Sequence, residues 1–113
     1  MESQLELHDE LIKQRDKLKR ALPGLLAAQD AVQGEVYKDG ALSRKVKQLM
    51  SLAISIRAGC TPSILVRTKR AVEAGATEEE VMETVSVAVA MGGIIGIAES
   101  LRVIKLLEEL GAQ

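Results

Sequence analysis

The chain has almost no aromatic side chains: its 113 residues include no Trp, no Phe and the single Tyr37. A core must therefore be assembled from Leu, Ile, Val, Ala and Met, whose shapes favour closely packed helices. Hydrophobic residues make up 47% of the chain and charged residues 27%, enough apolar surface for a globular core and too much for a disordered chain. This length suits one domain over residues 1–113, although so small a domain leaves a large share of its surface exposed.

Apolar periodicity and capping residues divide the chain into about six helices. Leu5, Leu11, Leu18 and Leu22 recur at near-helical spacing in a charged segment, so an amphipathic helix is predicted over Glu2–Leu22. Pro23 opens a second helix carrying Leu25, Leu26, Ala28, Val32 and Val36 as far as the turn signal Asp39–Gly40. Ser43, with Leu42 before it, caps a third helix, apolar on nearly every side from Val46 to Ile56, the pattern of a buried central helix. That helix ends at Gly59. Thr61 as cap and Pro62 at the first position restart a fourth, which runs to Glu73 and stops at Gly75. The capping box Thr77-Glu78-Glu79-Glu80 opens a fifth through Met91. Gly92–Gly93 permits a kink or a close helix approach, and a last helix from about Ile95 to Leu110 carries Ile97, Leu101, Ile104 and Leu107 as its apolar face. Met50, Met82 and Met91 are expected as core filler. No strand pattern, linker or repeat interrupts this all-α arrangement.

Charge and cysteine usage exclude several functions. A net charge of −1 gives no cluster of cations for nucleic-acid phosphates, and one tyrosine makes no stacking platform for single strands. No apolar run approaches the roughly 20 residues of a membrane span; the longest, Val85–Ile97, is broken by Ser86 and Gly92–Gly93. Met1–Arg20 has no apolar signal core, so a cytoplasmic protein is expected. Cys60 is alone and cannot form a disulfide within the chain. Neither a metal nor another cofactor is expected. His8 reads as a solvated side chain. The cations Lys13, Arg15, Lys17, Lys19 and Arg20, and separately Arg67, Lys69 and Arg70, read as solvated helix faces.

Four segments occur together in order: Leu-Ser-Arg-Lys at Leu42–Lys45, the apolar helix into Gly59-Cys60, Ala71–Glu80, and Ala-Met-Gly-Gly at Ala90–Gly93. In this the stretch 42–107 resembles the carboxymuconolactone decarboxylase/alkylhydroperoxidase D family, whereas residues 1–40 add little to the match. The resemblance implies a small helical domain assembled as a homo-oligomer, a trimer or hexamer. A short chain this rich in aliphatic residues independently suggests helix faces left for a second subunit to cover.

In the alkylhydroperoxidase D branch the resemblance also implies a signature of Glu, eleven residues, then Cys-x-x-Cys-x-x-x-His. One thiolate attacks peroxide, the second cysteine resolves the sulfenic acid, and His with Glu moves the proton. Here Gln48 stands at the Glu position, Cys60 at the first Cys, Ser63 at the second and Arg67 at the His. Gln48 cannot accept a proton at neutral pH, Ser63 cannot form a disulfide, and Arg67 keeps its proton. A dithiol cycle is not available to the chain.

Cys60 is then a one-cysteine peroxidatic or sensing thiol, a buried inert side chain filling a small apolar site, or a link between subunits. Ser63 and Arg67 share a helical face, and the fold implied brings Gln48 beside them. They form either a fixed polar cluster in a vestigial pocket or a binding site in which Arg67 anchors a carboxylate or other anion. Three functions follow: a peroxidase-type oxidoreductase, a lactone decarboxylase, and a non-catalytic oligomer that binds a small anion or a partner. Their small molecules are a peroxide or a small carboxylate.

Overall fold

In the computed structural model, which describes residues 1–111, the expected helices form in order: α1 (Gln4–Ala21), α2 (Pro23–Val36), α3 (Arg44–Ala58), α4 (Thr61–Glu73), α5 (Glu78–Gly92) and α6 (Ile94–Gly111). Most of their ends have a local chemical cause. Ser3, Ser43 and Thr77 each accept a backbone N–H three residues on, and Glu80 returns the second bond of the capping box to Thr77 N–H. Gly59, Gly75 and Gly93 follow α3, α4 and α5 with positive φ of 68°, 93° and 57°, conformations that glycine adopts without a Cβ penalty. One cap differs from expectation. Cys60, not Thr61, is the N-cap of α4, because its carbonyl already accepts the N–H of Ile64 at 2.9 Å. The second helix also ends short of Asp39–Gly40, with Tyr37 as its C-cap.

Helices α3 to α6 enclose the core. Leu52 and Ile56 of α3, Ile64 of α4, Val81 of α5 and Val103 of α6 are fully buried in one cluster. Each such side chain contributes about 1.5–3 kcal/mol of transfer free energy. Gly96 sets how closely α6 lies on α5: a Cβ there would fall 2.8 Å from the carbonyl oxygen of Ala88 and 2.9 Å from Val89 Cα. The close approach allowed for at Gly92–Gly93 is made at Gly92 as well, where a Cβ would fall 3.1 Å from Arg57 Cδ of α3, while Gly93 turns the chain.

This contact changes the expected outward faces. α6 buries Gly96, Ser100, Val103 and Leu106; of the predicted face only Leu107 packs on the core, while Ile97, Leu101 and Ile104 are exposed. A glycine and a serine outrank leucines on the buried face because only small residues let the two backbones meet. Likewise α3 is not enclosed: Val46, Met50 and Ile54 face outward, with Ile54 67% exposed. Met50 and Met91 are exposed too, and Met82 alone of the three expected filler methionines packs against the core.

The first two helices form a hairpin leaning on this bundle. α1 packs against α2, α4 and α6 but buries only Gln4 and His8, and α2 buries only Leu26. His8 is therefore not solvated: it is buried, with Nδ1 3.0 Å from Asp9 Oδ1. The start of α1 is fastened by a carboxylate from α6. Glu109 accepts the Ser3 hydroxyl, the Gln4 N–H at 2.7 Å and the Leu5 N–H at 3.4 Å, a favourable place for an anion at a helix N-terminus. The leaning hairpin is consistent with a radius of gyration of 14.2 Å, against about 13 Å for a compact domain near this size. Among the described residues no helix is long and apolar enough to cross a membrane.

Candidate functional site

Of the four residues singled out in the sequence, Gln48 is bonded to Arg67, Ser63 shares a cleft wall with Arg67 but bonds Ser55, and Cys60 is an exposed thiol. Gln48 lies buried on α3, and Ser63 and Arg67 lie one turn apart on α4. Arg67 donates through Nη1 to Gln48 Oε1 at 3.3 Å and through Nη2 to Gln33 Oε1 at 2.7 Å. Its guanidinium carbon stands 4.7 Å from the centroid of the Tyr37 ring, a cation–π arrangement. Ser63 meets Ser55 of α3 at 2.6 Å. The Ser55 hydrogen is already given to the Ser51 carbonyl at 2.7 Å, so the Ser63 hydroxyl is the donor. By the same accounting Tyr37 donates to Ser51, whose own hydrogen goes to the Lys47 carbonyl at 3.0 Å.

Cys60 stands apart. It is exposed at the N-cap of α4, its side chain makes no capping hydrogen bond, and its N–H is bonded to the Ser55 carbonyl at 3.1 Å. The role of buried filler is thereby removed: the cap position places the side chain outside the packed turns of α3 and α4.

The cluster opens onto a cleft of about 270 Å³ between α1, α2 and α4. Ile12, Pro62 and Val66 give it apolar walls; Arg15, Gln29, Asp30, Gln33, Ser63, Arg67 and Arg70 give it polar ones. Arg15 and Lys19 both bond Asp30, at 2.5 and 3.2 Å. The hydrogen bond from Arg15, then that from Lys19, holds the Asp30 carboxyl below its ordinary range. Arg67 is not the solvated charge that its position in a basic run suggests; it is partly buried. Burial is the main influence lowering its pKa, Tyr37 acts the other way, and Arg70 adds to the lowering, yet a guanidinium remains a cation throughout the accessible range. Among the described residues no carboxylate lies within ion-pair distance of Arg67 or Arg70.

Gln33, Tyr37, Ser51 and Ser55 are site residues that the sequence reading does not single out. Gln33 and Tyr37 lie on or just after α2, far from the signature in sequence. Ser55 carries a usable signal: it sits one helical turn from Ser51 and two from Gln48 on α3, a polar stripe in an otherwise apolar helix.

A six-helix all-α domain, with a cysteine capping the fourth helix and a polar cluster just beyond it, defines the class. The model of the carboxymuconolactone decarboxylase family matches residues 23–106, and the chain belongs to that family. The match begins at Pro23, so α2 is part of the family-like region and not only residues 42–107.

The chain is similar to an apo carboxymuconolactone decarboxylase family protein from Legionella pneumophila, 27% identical with a TM-score of 0.89 over 96% of this chain and 97% of that one. It is also similar to a family member from Thermotoga maritima, 29% identical with a TM-score of 0.81 over 91% of each chain. An uncharacterised protein from Cupriavidus necator is 28% identical over 103 residues, 91% of each.

Proposed function

We propose that the protein is a homo-oligomeric member of this family that binds a small organic anion at Arg67 and does not cycle a dithiol. The observation that carries this is the bonding of Arg67: a partly buried cation whose two side-chain acceptors are neutral amide oxygens. A cation drawn partly out of water gains from a counter-charge; apart from the Tyr37 ring nothing among the described residues supplies one here, and on this reading a ligand does. Of the five guanidinium donors, the amides use one on each terminal nitrogen. Two of those remaining suit the parallel oxygens of a carboxylate; the Ser63 hydroxyl lines the same cleft but has already given its hydrogen to Ser55. Arginine does not release its proton, so no proton-transfer step of a lactone decarboxylase runs through position 67.

Exposed aliphatic residues support the assembly. Ile54, Val87 and Met91 line a shallow apolar groove between α3 and α5 of about 450 Å³, and Ile94, Ile97 and Leu101 are exposed on α6. A soluble chain ordinarily covers such surface with another subunit. Sedimentation at micromolar concentration is expected to show a trimer or hexamer; a monomer would remove the assembly.

A thermal-shift screen with small carboxylic acids tests the binding. Stabilisation is expected in wild type, weaker in Arg67→Lys, where charge remains without the planar fork, and absent in Arg67→Met. A screen without a hit, or an Arg67→Met variant that responds equally, would overturn the reading.

A second reading is favoured by the exposure of Cys60. Its thiolate attacks one oxygen of a peroxide, releasing alcohol or water and leaving a sulfenic acid for an external thiol to reduce. An antioxidative role has been suggested for the Thermotoga maritima relative. Peroxide consumption with a dithiol reductant, lost in Cys60→Ser, would support it; equal rates in the two proteins would remove it.

A further inference from the structure

We infer that Gln33 is the specificity-determining residue of the Arg67 cleft, because its neutral amide leaves the guanidinium charge for an incoming carboxylate. The inference rests on the anion-site reading and deepens it. Gln33 Oε1 makes the shorter of the two hydrogen bonds to Arg67, 2.7 Å against 3.3 Å from Gln48. Unlike Gln48, which is buried beneath the guanidinium, Gln33 also lines the cleft. It therefore occupies a place from which a built-in anion would reach Arg67.

The same wall shows what a built-in anion does. One turn earlier on α2, Asp30 takes Arg15 and Lys19 as its partners and removes Arg15 from those free to bind a ligand. Glutamine differs from glutamate by one amide, so at position 33 that difference decides whether Arg67 is an anion receptor or an internal ion pair. The charged groups lining the cleft with Gln33 are Arg67 and Arg70 on α4, Arg15 on α1 and Asp30 on α2; Lys19 reaches the cleft through Asp30, and the Tyr37 ring lies against Arg67.

The test compares wild type, Gln33→Glu, Gln33→Met, Arg67→Met and the Gln33→Glu/Arg67→Met double variant, with benzoate as the probe. Gln33→Glu is expected to lower benzoate affinity at least about tenfold, because a charge of the same sign as the ligand enters the recognition site. Gln33→Met, which loses the hydrogen bond and keeps the site cationic, is expected to lose less. At neutral pH Gln33→Glu should melt higher than wild type, and the double variant no higher than Arg67→Met. Arg67 depresses the pKa of the carboxyl introduced at position 33, so that gain is full above the ordinary carboxylate range and lost as pH falls through the lowered value. A merely structural role for Gln33 would give neither the dependence on Arg67 nor the pH profile.

Equal benzoate binding by wild type and Gln33→Glu would overturn the inference while leaving the anion site standing. Absence of binding in wild type to benzoate, sulfate and phosphate alike would overturn the anion-site reading. The melting comparison then judges Gln33 by itself: a gain that does not depend on Arg67 overturns its role.

Discussion

The α3–α6 bundle and the α1–α2 hairpin are equally helical but are held by different forces. In the bundle, every helix contributes fully buried aliphatic side chains to one cluster. The hairpin buries Gln4, His8 and Leu26; polar contacts fasten it, with Glu109 at the start of α1 and Asp30 between its two helices. Removing apolar surface from water is worth several kcal/mol per residue site, whereas exposed ion pairs are worth little. The bundle is therefore a rigid platform carrying Ser63, Gln48 and Arg67, and the hairpin is a weaker wall bringing Gln33 to them. The cleft lies where the two regimes meet.

Substitutions should separate these regimes. The largest effect is expected for Leu52→Ala, about 2–5 kcal/mol in denaturant unfolding, with Leu26→Ala costing clearly less; equal losses would break the comparison. Gly96→Ala forces α6 off the α5 backbone and should cost about 1–3 kcal/mol, the range of overpacked cores; a neutral result would mean that α6 slides freely.

The smallest global effect, yet the sharpest local one, is expected at Glu109. The Ser3 hydroxyl, then the Gln4 and Leu5 N–H groups, hold its carboxyl below the ordinary range, against burial and with help from Lys105. A lowered folded-state pKa means that its stabilisation is complete above the unfolded pKa and lost as pH falls through the folded one. Amide protection factors in α1 should therefore fall on acidification from neutrality to about pH 4 and below, with those of α3–α6 little changed. Glu109→Gln should flatten that response. Loss of protection in both regions together would show that the hairpin and bundle unfold as one unit.

Much of this division is readable in the sequence, and the gaps have physical causes. Ser43, Thr77 and Gly75 mark helix ends because capping depends on neighbours a few residues away. Periodicity misplaces the buried face of α6 because hydrophobicity favours Ile97, Leu101 and Ile104, whereas packing selects Gly96 and Ser100 for their small size. Cys60, expected as filler in one reading, is exposed because a helix cap is decided by which carbonyl accepts the first turn's N–H. Gln48 and Arg67 can be placed together from helix order, but Gln33 cannot, since its bond to Arg67 spans 34 residues and follows from how the hairpin leans.

If Arg67 receives an anion, as proposed, a small carboxylate binds the protein only while that guanidinium is present. Calorimetric titration of the protein with benzoate tests this, with Arg67→Met alongside. Wild type is expected to give a saturable heat that shrinks with added chloride and is lost in Arg67→Met. A wild-type titration indistinguishable from buffer dilution, or an undiminished one in Arg67→Met, would contradict it.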